Sequence, residues 1–281
     1  MKSFFAAFTA LALSASAIAQ DDNASPDLEM WRLDCGALEI SDMAAFSDAH
    51  LYDGEPRTLT VSCYLIRHGE QYLLWDAGLD KGLVKGAVSQ SGATLSMGQS
   101  IETQLETLGL SASDVTFAGV SHFHFDHVSQ LPDFGASTLL IGAKDWEMVK
   151  AATGPTPLLD PRPFAPWLGD EASQAVAIAK DHDVFGDGSV VMKATPGHTP
   201  GHTALLVRMP QMGNVLLTGD LYHFEEQVTN RGVPEFNTDR ADTLASFERF
   251  DAMAKALDAT IIIQHDPRHL DRLPSFPLSV R

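Results

Sequence analysis

The sequence predicts one layered α/β domain, and three observations carry that expectation. Apolar runs of strand length alternate with stretches of helical period along most of the chain. No linker, repeat or low-complexity tract interrupts them. The 281 residues are 44% hydrophobic and 20% charged, enough apolar material for a sizeable core.

In chain order, the first segment stands apart from that domain. Lys2 precedes an apolar run from Phe4 to Ala15, and Ala17-Ile18-Ala19 offers small residues for processing. This reads as a secretory signal peptide over residues 1–19, cut after Ala19 and too short to anchor the chain in a bilayer. A single domain is then expected over residues 20–281, periplasmic or secreted and without a membrane anchor.

Strands are expected at Leu28 to Ile40, Leu59 to Arg67 and Gln71 to Asp76, the last two joined as a hairpin through His68-Gly69-Glu70. LLWDAGL ends its strand in a carboxylate and a glycine, which suggests a tight loop at a sheet edge. A Gly/Ser-rich loop covers Gly86 to Gly98, and Ile101, Leu105 and Leu108 give Ser100 to Leu108 helical spacing. Val115 to Val120 and Thr138 to Ile141 read as short strands, with a helix from Ala143 to Ala152. Prolines at 155, 157, 161, 163 and 166 make 154–169 a long irregular loop. Further strands are expected at Ser189 to Ala194, Thr203 to Arg208, Asn214 to Thr218 and Thr260 to Gln264. A helix from Arg240 to Leu257 carries Leu244, Phe247, Phe250 and Ala254 on one face.

Cys35 and Cys63 both lie in strand-like stretches. In an oxidising compartment they could pair, and two buried free thiols fit the sequence equally well. The 37 acidic residues against 19 basic ones give a formal charge of −18. Such a field repels phosphate backbones and anionic lipids, so nucleic acid is not an expected partner.

The chemistry concentrates at strand ends. SHFHFDH, Ser121 to His127, packs His122, His124, Asp126 and His127 among apolar neighbours. Burying four such groups without a charge to satisfy them would cost much free energy. His198 follows a strand within TPGHTPGH, Asp220 follows VLLTG and His265 follows TIIIQ. Strand ends on one sheet edge converge, so these seven residues can face a common point. Imidazole and carboxylate donors suit zinc or a similar metal. His50, His68, His182 and His269 read as surface or hydrogen-bonded residues, and His202 as a support for His198.

This ordered set resembles the metallo-β-lactamase superfamily, with its His-x-His-x-Asp-His run followed by further His, Asp and His residues. The resemblance covers about Leu28 to His265 and implies an αβ/βα sandwich with two divalent metal ions, zinc foremost, on one edge. It assigns His122, His124 and His198 to the first metal and Asp126, His127 and His265 to the second, with Asp220 bridging. Within the superfamily LDCG, YLIRHGEQYLLWDAGL and TPGHTPGH look like landmarks of the N-acyl homoserine lactonases. That implies quorum-quenching hydrolysis of a lactone or ester by hydroxide made available between the cations. Candidate catalytic residues are Asp126, Asp220, His223 and Tyr222. The chain departs from those lactonases in two places: VSQ stands where they often have a glycine pair, and His223 occupies the spacing usual for a tyrosine, with Tyr222 one residue early.

The substrate's acyl chain is expected on an apolar surface drawn from the proline-rich loop with Phe164 and Trp167, the Gly86–Gly98 loop with Leu95 and Met97, and Phe236; packing of these residues on the core as loop anchors fits the sequence equally well. The expected partner is a small lactone or ester, and a homodimer is left open. Rival readings with the same site are an organophosphate, thioester or β-lactam hydrolase; a non-catalytic exported metal-binding protein is the rival from another class.

Overall fold

The computed structural model describes residues 27–169 and 172–281, so the signal-peptide expectation lies outside the described residues. The chain opens with β1 (Leu28–Ile40), β2 (Arg57–His68) and β3 (Gln71–Trp75), then β4 (Val88–Gln90) and β5 (Ala93–Ser96). There follow α1 (Ile101–Thr107), β6 (Phe117–Gly119), α2 (Phe125–Val128), β7 (Thr138–Gly142) and α3 (Ala143–Ala151). Next come β8 (Ala175–Ile178), β9 (His182–Asp183), β10 (Val190–Ala194), β11 (Thr203–Met209) and β12 (Gly213–Leu217). The chain ends with α4 (Glu225–Asn230), α5 (Arg240–Ala256) and β13 (Thr260–Ile262).

These strands form two sheets, ordered β4-β5-β1-β2-β3-β6-β7-β8 and β13-β12-β11-β10-β9. β3, β6, β7 and β8 run parallel, as do β12 and β13, and the other pairs are antiparallel. Strand periodicity sorts the side chains: Leu28 and Met30 of β1 enter the layer between the sheets with Tyr64, Trp75, Leu205 and Leu217. Trp31, Leu33 and Cys35 point the other way, into the core shared with Ile101, Leu105, Trp146 and Val149 of α1 and α3. On the far side Phe247, Phe250 and Ala254 of α5 cover Leu206 and Leu216. Helices therefore flank two packed sheets, the αβ/βα sandwich expected. Among the described residues no helix is long and apolar enough to cross a membrane.

The structure corrects several expectations. The Gly86–Gly98 segment is not a bare loop, because β4 and β5 form a hairpin that pairs with β1 through Ala37–Ile40. In the proline-rich stretch a 3-10 turn at Arg162–Trp167 buries Phe164 and Trp167 in the core. The strands β8 and β9 and the helix α4 had too little periodicity to be read from sequence.

Cys35 and Cys63 form a disulfide with Cα atoms 5.9 Å apart, deciding the alternative the sequence left open. The bond links β1 to β2 beneath the loop after β3. A Cβ at Gly78, whose φ is +55°, would lie 2.5 Å from Cys35 Cβ, so only glycine lets that loop rest on the disulfide. The 28-residue separation gives a loop-closure stabilisation of about 3–4 kcal/mol. The double variant Cys35→Ser/Cys63→Ser is expected to lose about 2–4 kcal/mol of unfolding free energy in non-reducing denaturant melts.

Candidate metal centre

The site lies where strands of both sheets end. β6 runs out at Gly119, and the irregular segment after it carries His122 and His124 into α2, which carries Asp126 and His127. His198 sits in the turn between β10 and β11, and Asp220 in a 3-10 turn after β12. His265 follows β13, the parallel neighbour of β12, so both strands deliver their residues to the same edge. Thr60 N donates to His265 O at 3.0 Å, and His265 Nδ1 donates to Thr60 O at 2.7 Å, pinning that residue to the first sheet.

All seven expected donors converge there, buried, in two groups: His122, His124, His198 and Asp220, and Asp126, His127 and His265. His198 Nε2 lies 3.1 Å from His122 Nε2 and 2.9 Å from His124 Nδ1, and His127 Nε2 lies 3.2 Å from His265 Nε2. Asp220 reaches both groups. Its Oδ2 is 3.3 Å from His198 Nε2 and 3.6 Å from His122 Nε2, while Oδ1 is 3.0 Å from His127 Nε2 and 2.9 Å from His265 Nε2. Asp126 Oδ2 stands 3.6 Å from His265 Nε2.

Ring nitrogens converging this closely have too few protons to satisfy one another, and Asp220 Oδ1 is buried with no hydrogen bond among the described residues. That orphaned oxygen and the inward-facing nitrogens fit a shared cation. Nitrogens bound tetrahedrally to zinc at roughly 2.0–2.1 Å would stand about 3.3 Å apart, close to the spacings seen. Burial holds the His122 and His124 rings well below the ordinary imidazole range, and neighbouring histidines push the same way. Burial also opposes charge on His127, but Asp220, Asp76 and Asp126 outweigh it and hold that ring well above its usual value. Burial acts against the ionised Asp220 too, yet His127, His265 and His223 keep its carboxyl well below the usual range. The ionised Asp220 carboxylate and the neutral His122 and His124 rings are in the state a divalent cation takes up, and His127 would release its proton on binding one.

An outer set of residues orients these donors, and most of it was not legible in sequence. Asp76, at φ +62° in the turn after β3, accepts from Ser121 N at 2.7 Å and from Gln264 Nε2 at 2.9 Å. Its Oδ2 also lies 3.0 Å from His127 Nδ1, the carboxylate–histidine pairing that fixes a ligand's ring. The only signal was LLWDAGL, read as a tight loop. His198 Nδ1 donates to Asn237 Oδ1 at 2.8 Å. His202 supports the centre as expected of its position, its Nε2 accepting from Asp220 N at 3.0 Å. Among the remaining histidines, His68 meets Asp187 and His269 meets Glu225, both away from the centre.

Tyr222 and His223 part company. Tyr222 has extended φ/ψ (−130°, 137°), so neighbouring side chains point oppositely. The Tyr222 hydroxyl donates to Asp251 Oδ1 at 3.0 Å and accepts from Arg231 at 2.6 Å, and its ring stacks on Phe247. Tyr222 is therefore withdrawn as a catalytic candidate: it turns into the core under α5. His223 turns inward, its Nε2 3.2 Å from Asp220 Oδ2 and its backbone N donating to Gln227 Oε1 at 2.7 Å.

A cavity of about 310 Å³ opens over the centre, with Asp126, Asp220, His223 and His265 among its lining residues. Leu38, Ile40, Leu59, Leu95 and Phe236 give it apolar walls. Phe164, Trp167 and Met97 do not line it, which corrects that part of the expected apolar surface; all three are packed in the core.

Residues 56–265 match the profile of the metallo-beta-lactamase superfamily, and the chain belongs to that family. Its curated relatives are N-acyl homoserine lactonases. AttM of Azorhizobium caulinodans is 26% identical over 262 residues, 89% of this chain and 96% of that protein. AiiA of Bacillus thuringiensis subsp. kurstaki is 27% identical over 224 residues, 77% of this chain and 85% of that one. Among solved structures, an N-acyl homoserine lactone hydrolase with N-hexanoyl-L-homoserine at its catalytic metal centre superposes with a TM-score of 0.76 at 24% identity, covering 90% of this chain and 98% of that one. The dizinc quorum-quenching lactonase AidC gives 0.64 at 17% identity, covering 86% and 88%.

Proposed function

We propose that this chain is an exported hydrolase that opens the lactone ring of N-acyl homoserine lactones using two divalent metal ions. The observation that carries the reading is the seven-donor centre set directly beneath an apolar cavity; the lactonase relatives point to the same substrate class. His122, His124 and His198 would hold one ion, Asp126, His127 and His265 the other, and Asp220 both. Bound there, two such ions supply Lewis acidity and hydroxide near neutral pH.

The chain's own residues do the rest. Asp220, with one oxygen toward each donor group, is placed to take the proton of the attacking water and return it to the ring oxygen that leaves. His223 Nε2 is the side-chain donor for the lactone carbonyl. Leu38, Ile40, Leu59 and Phe236 seat the acyl chain and exclude water around it.

Turnover of a panel containing acylated lactones, a phosphotriester, a thioester and a β-lactam tests the assignment, and only the lactones should be hydrolysed fast. Purified mature protein should carry close to two metal equivalents by elemental analysis, zinc foremost. His122→Ala or His198→Ala should lose metal and activity together.

His223→Ala should lower kcat about a hundredfold with metal content unchanged. Tyr222→Phe should leave kcat near the parent's. A larger loss in Tyr222→Phe would return the phenol to the catalytic role.

Longer acyl chains should bind more tightly, by up to about 0.8 kcal/mol for each methylene buried. A flat dependence on chain length would reject the cavity as the acyl site.

Export rests on the apolar run at Phe4 to Ala15. N-terminal sequencing of the protein from periplasm or medium should begin near Gln20, and recovery only as a cytosolic chain starting at Met1 would reject export.

A further inference from the structure

Asp145, in the first turn of α3, has no role in the chemistry above, yet its carboxylate is fully buried. Among the described residues no lysine, arginine or histidine pairs with it. Its oxygens instead accept from Thr199 Oγ1 at 2.7 Å and from Gly201 N at 2.6 Å. Taking a carboxylate out of water on two hydrogen bonds is costly. The cost is visible in the group itself, since burial pushes its carboxyl up to about 7 although both hydrogen bonds pull it down. Its place in the first turn of a helix offsets part of this.

Both donors belong to the turn between β10 and β11, and that turn carries His198 immediately before Thr199 and His202 immediately after Gly201. His198 Nε2 faces His122 and His124, while His202 Nε2 receives the backbone N–H of Asp220. The turn is pressed hard against α3. A Cβ on Gly201 would come within 2.5 Å of Asp145 N, and one on Gly142 within 1.8 Å of Gly201 O. Glycine at both positions allows the contact, and Asp145 is the polar group that closes it.

We propose that Asp145 is a positioning residue for the metal centre: by clamping the Thr199–Gly201 turn it holds His198 directly, and Asp220 through His202, at the spacing the first metal requires. The proposal rests on the dinuclear reading given above. It goes beyond it in assigning the first metal's retention to a side chain that touches no ligand.

The test uses the full mature chain loaded with zinc and measures release of each equivalent to a competing chelator. Thr199→Val removes one donor and keeps its shape, and Asp145→Asn removes the charge. Phe250→Leu, in the core under α5, serves as a control for general loss of stability. In both test variants one zinc equivalent should be held about tenfold or more weakly, the other being retained. Cobalt-loaded protein should show a changed visible spectrum to match. Phe250→Leu should keep both equivalents and the parent spectrum.

If Asp145→Asn does not fold, Thr199→Val decides alone. Parent-like retention of both equivalents in the test variants would overturn the proposal, whatever their melting temperatures. So would loss of both equivalents in step with the control, because that is what a purely structural role predicts. A parent chain that binds no zinc would instead overturn the dinuclear reading.

Discussion

Five imidazole rings converge on the buried carboxylate of Asp220, those of His122, His198 and His223 toward Oδ2 and those of His127 and His265 toward Oδ1. Buried at the foot of the cavity, such a cluster is stabilised by a charge that satisfies the inward-facing lone pairs. Much of the local architecture follows from meeting that requirement. The rings come from both sheets, so the relative placement of the two sheet edges sets the spacing between them. The outer hydrogen bonds of Asp76, Gln264, Asn237 and His202 help to hold it.

Backbone proximity does as much as side-chain chemistry. At Gly219, φ is +53° and a Cβ would lie 2.7 Å from His202 Nε2, so the turn that presents Asp220 can lie against its support only as glycine. The two contacts of TPGHTPGH are of the same kind: a Cβ on Gly197 would meet Thr243 N of α5 at 2.3 Å, and Gly201 meets α3. A segment that reads as a string of turns is thus wedged between the helices on either side of the sandwich.

The departure at Tyr222 and His223 has a similar physical basis. Extended backbone sends adjacent side chains to opposite sides, so only one of the two can face the centre. Arg231, Asp251 and Phe247 supply the tyrosine with partners in the core, and Gln227 supplies the histidine with one at the site. The exchange brings an imidazole to the carboxylate while the phenol becomes part of the packing.

The sequence by itself determined a layered α/β domain and the seven candidate donors, and its resemblance to the metallo-β-lactamase superfamily implied the αβ/βα sandwich. Strand and helix periodicity is written locally, and a tight polar cluster among apolar residues admits few explanations. It also carried most element boundaries in both sheets, from Leu28–Ile40 to the helix ending at Ala256. Other features depended on residues far apart in the chain. Pairing of Cys35 with Cys63 depends on neighbouring strands coming into register, and Asp76 meets His127 only across a 51-residue separation. Phe164 and Trp167 look like surface aromatics in a proline-rich stretch, yet a 3-10 turn tucks them into the core. Leu95 and Phe236 of the cavity wall were expected from sequence, but that Leu38, Ile40 and Leu59 join them, and that Asp145 lies beneath the His198 turn, were decided only by tertiary packing. Local spacing specifies which side chains share a face, whereas long-range contact distances are set by how whole layers settle on one another.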